Sequence, residues 1–281
     1  MYQVVSTSYG REDLRLLGVR QGSPATARDL RLSMRLEGDF TAAFADGDNA
    51  DVLPTRSMTN TAAALVHDHL GSSSIEQISV AVAQRLLAAC PAAQCAHVAA
   101  AEYPWALLPG SHHTFATPPS DLWLANVTAR RDQPAAVVSG ASGLYRAVTT
   151  GSSFLGFLVD EYTLPHQVAA EDRVLHLSGE LRWEYAEVPA DYDASRAEVL
   201  GAFRGAAIDQ CSRSWQHAAY LSATAVLDAC AAVSEVSMRT VHHAHTPVDL
   251  SPFGRRSQDA VWLSTDSSYG AGVVTVRRGT G

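Results

Sequence analysis

From Arg28 to Glu37 the chain alternates: Leu30, Leu32, Met34 and Leu36 fall on one face, and Arg31, Ser33, Arg35 and Glu37 on the other. A period of two is that of a strand with one wet face. Residues 2–9 and 14–20 read as two shorter strands separated at Gly10. Asp46-Gly47-Asp48-Asn49 is turn chemistry, and the period changes after it. Residues 57–70 read as a helix with Ser57 as its cap. Ser73, with Glu76 three positions on, has the capping-box spacing and opens a second helix to about Cys90. Strands return near 94–103 and 121–130.

The second half repeats this order. Strands are expected near 135–149 and 172–186, helices over 194–207 and 214–231, and strands at 233–245, 259–264 and 272–278. In 172–186, Leu175, Leu177, Leu181, Trp183 and Tyr185 oppose Val174, His176 and Ser178, with a slip near Gly179. Residues 186–194 and 247–258 read as loops. A recurrence of roughly 140 residues is too long for a solenoid. It indicates a duplicated α+β domain, antiparallel sheet with helices on one face, divided between residues 133 and 134.

Composition narrows the function classes. The 281 residues are 47% hydrophobic, enough for a sizeable core. A net charge of −8 argues against nucleic acid and against an anionic membrane surface as partners. No apolar run approaches the ~20 residues of a membrane span, and the first residues lack the pattern of a signal peptide. Cys90, Cys95, Cys211 and Cys230 show neither a CxxC pair nor zinc spacing. They read as reduced thiols of a cytoplasmic protein. All 21 basic residues are arginine. No lysine is available as a Schiff base or general base, and a guanidinium does not replace it near neutral pH. P-loop, dinucleotide and GxSxG signatures are missing from the sequence.

The chemistry-bearing stretch is VHHAHTPVDL, residues 241–250, with three histidines in four positions. On a strand His243 and His245 share a face and His242 points away. Imidazole titrates near neutral pH, so acid/base or hydrogen-bonding work, a structural role and metal binding are all open. No carboxylate or further histidine stands out as a third ligand, so no metal is expected. The pairs His67/His69 and His112/His113 suggest no defined role.

Seven stretches, in order over residues 9–251, together resemble the urate oxidase (uricase) family: YGREDLRLLGV, GDNADVLPTRSMTNT, AEYPW with HHTF, TTGSSFLGFLVDEYTLPH, EDRVLHLSGELRWEY, SRSWQHAAYLSAT and HHAHTPVDLS. The resemblance implies two tandem tunnelling-fold (T-fold) domains, subunits paired into a β-barrel, and two barrels stacked as a homotetramer. It implies sites between subunits, no cofactor and no metal, and oxidation of a deprotonated purine by O2. In the family, urate becomes 5-hydroxyisourate with release of H2O2.

Residue by residue, the resemblance makes Phe154 the stacking ring, and Arg173 and Gln216 the groups that grip opposite substrate edges. A donor fork facing a donor–acceptor amide suits an imide-like ring. Thr55 matches the catalytic threonine, and His245 the histidine of the proton chain. Four positions depart from the family. Its lysine is Arg11, the acid after its threonine is Arg56, its asparagine is His243, and a small valine beside the glutamine is Trp215. Arg11 can hold an anion but cannot cycle as a base. Arg56 favours a more anionic ligand, Trp215 in the pocket would crowd out urate, and His243 offers the missing base. The expectation is therefore a uricase-like, cofactor-free enzyme acting with O2 on a planar purine-like ring other than urate. The alternatives are a non-catalytic binding or scaffold protein on the same fold, and a true urate oxidase with a rebuilt proton relay.

Overall fold

The computed structural model describes residues 2–117, 121–165, 169–208, 210–255 and 261–279. The chain forms two compact units, residues 1–142 and 143–281. The division falls after residue 142 rather than 133, because residues 136–142 pair with the preceding strand of the first unit.

The first unit runs β1 (Thr7–Arg20), β2 (Thr26–Gly38), α1 (Thr41–Ala45), α2 (Thr55–Asp68), α3 (Ile75–Ala89), β3 (Ala93–Tyr103), a short ribbon of β4 (Ala106–Leu107) and β5 (Phe115–Ala116), β6 (Leu122–Arg130) and the start of β7 (Ala136–Val148). Its antiparallel sheet has the order β1-β2-β3-β6-β7. Leu30, Leu32, Met34 and Leu36 are buried with Met58, Ala62 and Val66 of α2 and Ile78, Val82 and Leu86 of α3. Each of these leucine, methionine, isoleucine and valine side chains contributes about 1.5–3 kcal/mol.

The second unit holds the rest of β7, then β8 (Leu175–Tyr185), α4 (Tyr192–Gly205), α5 (Trp215–Ala229), β9 (Val233–Pro247) and β10 (Trp262–Arg277). The strand order is β7-β8-β9-β10, and β9 is antiparallel to both neighbours. Helix α5 packs on β9 and β10. A single-turn 3-10 helix, Ser251–Phe253, interrupts the expected 247–258 loop, and α4 starts at Tyr192 where Asp191 caps it.

Several local expectations change for identifiable reasons. β1 is one strand, not two. Gly10 is a point of close approach, since a Cβ there would lie 1.9 Å from the Met34 carbonyl oxygen. The irregularity comes just after it, between Arg11 and Leu14, where Asp13 adopts φ 57°. Ser74, not Ser73, caps α3: its hydroxyl accepts from Gln77 N–H and the Gln77 side chain accepts from Ser74 N–H. Glu76 is instead turned into the core, where it accepts from Ser139 Oγ at 2.7 Å. α2 starts at Thr55 with no side-chain cap, and Ser57 N–H donates to the Pro54 carbonyl. There is no slip at Gly179, which pairs in register with Thr240 and keeps the inward parity of β8. Residues 262–277 form one strand with a register shift between Ser264 and Tyr269. Positions 259 and 260 of the expected 259–264 strand, and 256–258 of the expected loop, lie outside the described residues.

One buried ion pair ties β2 to β3. Arg28 donates through Nε and Nη2 to the two Glu102 carboxylate oxygens at 2.7 and 2.6 Å, and also to the Ser73 carbonyl. Removing one partner strands a buried charge. Glu102→Ala should cost about 3–5 kcal/mol of unfolding free energy, and the pair Arg28→Met with Glu102→Leu should recover most of it. Urea titrations of the three chains check this.

Candidate active site

The second unit builds a polar loop around one carboxylate. Asp172 accepts from Thr150 Oγ1 at 2.5 Å, Gly151 N–H at 2.8 Å, Ser152 N–H at 3.3 Å and Arg173 N–H at 3.0 Å. The Thr150 hydroxyl foremost, with those amides, holds Asp172 below the usual carboxylate range. On the other side Ser153 N–H donates to the Ser212 carbonyl and Ser212 N–H to the Gly151 carbonyl, at 2.9 and 2.8 Å. Phe154 and Ala170 exchange backbone hydrogen bonds at 2.7 and 3.0 Å. The loop thus presents the Phe154 ring, stacked on Phe157 at 5.1 Å, with the Arg173 guanidinium 5.3 Å from its centroid.

Arg173 is half-buried, and burial lowers its pKa from the ordinary value. Its Nη2 is buried and has no hydrogen-bond partner among the described residues, while Nε reaches Ser152 Oγ only at 3.5 Å. A desolvated guanidinium with unused donors beside an aromatic face is suited to a planar, carbonyl-bearing ring.

The histidines divide between the two faces of β9. His243 and His245 share a face, and the third member there is His176, opposite His243 on β8. His176 Nδ1 lies 3.1 Å from His245 Nε2, and His243 Nε2 lies 2.7 Å from Ser178 Oγ. The ring centroids of His176 are 4.6 Å from His243 and 5.2 Å from His245. Burial, then the neighbouring imidazoles, push His176 below the ordinary histidine value. The contact between His176 and His245 gives a path along which a proton can pass. Among the described residues they do not bring three nitrogens within 4.8 Å of one another, so they are not arranged as a metal set. His242 faces the other way. Burial first, then the charge of Arg173, pull it down to about 4.

Trp215 and Gln216 open α5, where Ser214 caps the helix by accepting from His217 N–H at 3.0 Å. The indole packs against Leu175, Leu177 and Ala218 and lies over Gly272, where a Cβ would come within 2.6 Å of Cη2. It is thus turned partly into the core. Trp215, exposed Gln216, Ala219, Met238, Thr240 and Gly272 also line a cavity of about 260 Å³.

In the first unit Arg11 lies on β1 at the irregularity, and Thr55 and Arg56 form the first turn of α2. All three are exposed, and among the described residues their side chains have no hydrogen-bond or ion-pair partner. Two participants escaped the sequence reading. Asp172 is ordinary until its four donors are counted. His176 was visible on the polar face of β8, but only the pairing of β8 with β9 places it beside His243 and His245.

The uricase family model matches residues 137–271. The chain is 30% identical over 271 residues to the uricase of Arthrobacter globiformis, covering 96% of this chain and 88% of that protein. This chain belongs to the urate oxidase family. The uricase of Oryctolagus cuniculus is 27% identical over 289 residues, covering 98% of this chain and 95% of that protein. The crystal structure of the Arthrobacter globiformis uricase superposes with a TM-score of 0.91 at 29% identity, over 99% of this chain and 96% of that one. The architecture is accordingly the α+β tunnelling fold, and the chain is an oxidoreductase of the urate oxidase type.

His242 makes stability depend on pH. Its folded pKa of about 4 lies below the 6.5 of the free side chain. The unfolded chain therefore binds the extra proton first, and stability is lost as pH falls from 6.5 towards 4. His242→Asn should flatten the decline of the urea midpoint across that window. An undiminished decline would show that His242 takes up its proton without penalty. Asp172→Ala should leave the sheet intact but accelerate hydrogen exchange at Gly151, Ser152 and Arg173 by at least about tenfold, as expected when each amide loses a charge-assisted bond.

Proposed function

We propose that this chain oxidises a planar, purine-like heteroaromatic ring with O2, without a cofactor, and that the preferred ring is not urate itself. The carrying observation is the clamp: a buried, unpartnered Arg173 donor beside the Phe154 face, on a loop held by Asp172. Phe154 stacks on the ring, Arg173 donates to a carbonyl and ring nitrogen at one edge, and Gln216 serves the opposite edge. The deprotonated ring gives two electrons to O2, water adds at a ring carbon, and H2O2 leaves.

The proton traffic runs through histidine, because Arg11 cannot act as a base. His245 keeps its place in the relay with His176 hydrogen-bonded behind it. His243 takes the proton that the missing lysine would otherwise handle, steadied by Ser178. Thr55 orients water or the ring nitrogen, and Arg11 and Arg56 draw a more anionic ring than urate. The exposure of Arg11, Thr55 and Arg56 supports a site completed by a second copy of the chain, in a dimer of dimers. A second reading, oxidation of urate, is favoured by one observation: Trp215 is packed against Leu175 and Leu177, leaving space beside Gln216.

Oxygen uptake and peroxide release by metal-stripped protein, across urate, other oxopurines and pterins, test the proposal. The expected result is steady uptake on an anionic oxopurine, at higher kcat/KM than on urate. Urate as the best substrate would establish the second reading. Arg173→Ala should lower kcat/KM roughly 10–100-fold, the value of one or two charge-assisted hydrogen bonds. Unchanged affinity and turnover in that variant would overturn the assignment.

A further inference from the structure

A second cluster lies in the first unit, on the face of β2 and β3 turned away from α2 and α3. Glu37 and Cys95 are cross-strand partners, and His97 follows Cys95 by two positions, so all three side chains leave the sheet on one side. Their donor atoms all lie within 4.8 Å of one another. His97 Nε2 is 3.1 Å from Glu37 Oε2 and 3.4 Å from Cys95 Sγ. The two separations meet at a single imidazole nitrogen, which carries either one proton or one lone pair and cannot satisfy both neighbours in line.

The remaining polar atoms are already engaged. His97 Nδ1 is 3.1 Å from Thr128 Oγ1, and Glu37 Oε1 is 2.8 Å from Arg35 Nη2. A nucleophilic Cys–His–acid relay would seat the carboxylate on Nδ1, behind the imidazole. Here Thr128 occupies that side and the carboxylate shares the front with the thiol. His97 and Glu37 are thus each oriented by an outer partner while the free atom faces the common centre, as in ligand sets with a built outer shell.

We propose that Glu37, Cys95 and His97 bind one divalent transition-metal ion of borderline softness, of which zinc is representative, through Oε2, Sγ and Nε2, with water as fourth ligand. Tetrahedral zinc with sulfur at ~2.3 Å and nitrogen or oxygen at ~2.0–2.2 Å sets its donors roughly 3.4–3.6 Å apart. The observed 3.4 and 3.1 Å need only a few tenths of an ångström of opening. Binding displaces the Cys95 thiol proton to solvent, and the thiolate and carboxylate neutralise the ion. Burial raises the Cys95 thiol above its ordinary value, and Arg130, the strand partner of Cys95 on β6, offsets part of that rise. Cys95 is only 2% exposed, which suits a structural ligand better than a reactive thiol. None of the residues assigned to the oxidation takes part.

The test uses the untagged, metal-stripped full chain with zinc alone and with cobalt(II) alone. One zinc per chain should survive dialysis, and cobalt should give a thiolate-to-metal charge-transfer band in the near ultraviolet. Cys95→Ser should abolish the band, and His97→Ala should weaken zinc binding at least 100-fold. Cys211→Ser, which removes the exposed thiol, should change neither. Thr128→Val leaves all three ligands in place and should weaken binding roughly 10–100-fold, so it decides the matter if the ligand variants fail to fold. Failure to retain zinc, or a cobalt band that depends on Cys211 instead of Cys95, would overturn the proposal.

Discussion

Burying Leu30, Leu32, Met34 and Leu36 beneath α2 and α3 dictates what the opposite face of β2 can carry. A pleated strand alternates strictly, so every residue that faces the helices sends its neighbours the other way. The same constraint acts in the second unit, where Leu175, Leu177, Leu181 and Trp183 are buried and His176 and Ser178 are turned outward. The polar chemistry of both units follows from it. Glu37, Cys95 and His97 meet in one unit, and His176, His243 and His245 in the other, because their inward neighbours are committed to the core. A one-residue slip in β2 or β8 would dismantle both the core and the polar cluster on that sheet.

The clamp loop obeys a different logic. It has little apolar burial of its own, and its shape comes from the carboxylate of Asp172 collecting a hydroxyl and three amides. That concentration of donors lets the neighbouring residue stay unsatisfied. Arg173 is held in a half-buried position with a free donor, which costs stability in the empty protein and is recovered when an acceptor arrives. The rigidity of Asp172 and the incompleteness of Arg173 are complementary parts of one arrangement.

Much of the architecture was legible in the sequence, and the pattern of success is physical. The alternation of residues 28–37, the two helices after each strand pair and the repeat of that order all depend on local periodicity, and they appear in the structure within a few residues. Most of the failures concern contacts made far along the chain. Gly10 looks like a break until the partner strand is seen to need its missing side chain. Gly179 looks like a slip, yet it occupies an inward position opposite Thr240. His176 attracts no attention until β8 is laid beside β9, and the cap of α3 moved by one residue because Glu76 found a better partner in Ser139. Of the candidate site, the Phe154 and Arg173 pair and the shared face of His243 and His245 were foreseeable from motif and parity. The hub at Asp172 was not, since four donors from separate positions converge on it only in three dimensions.

The contact between Trp215 and Gly272 constrains how such a sequence can have arisen. The indole occupies the volume that any side chain at 272 would need, since even a Cβ would sit 2.6 Å from its edge. A chain with glycine at 272 tolerates a small residue at 215, at worst with some empty space. A chain with tryptophan at 215 admits a larger residue at 272 only if the indole shifts. Of the two possible orders, the one in which the glycine precedes the tryptophan meets no clash. Once both are in place, any enlargement on β10 at 272 must wait for the indole at 215 to give way, so the two positions are bound to change together.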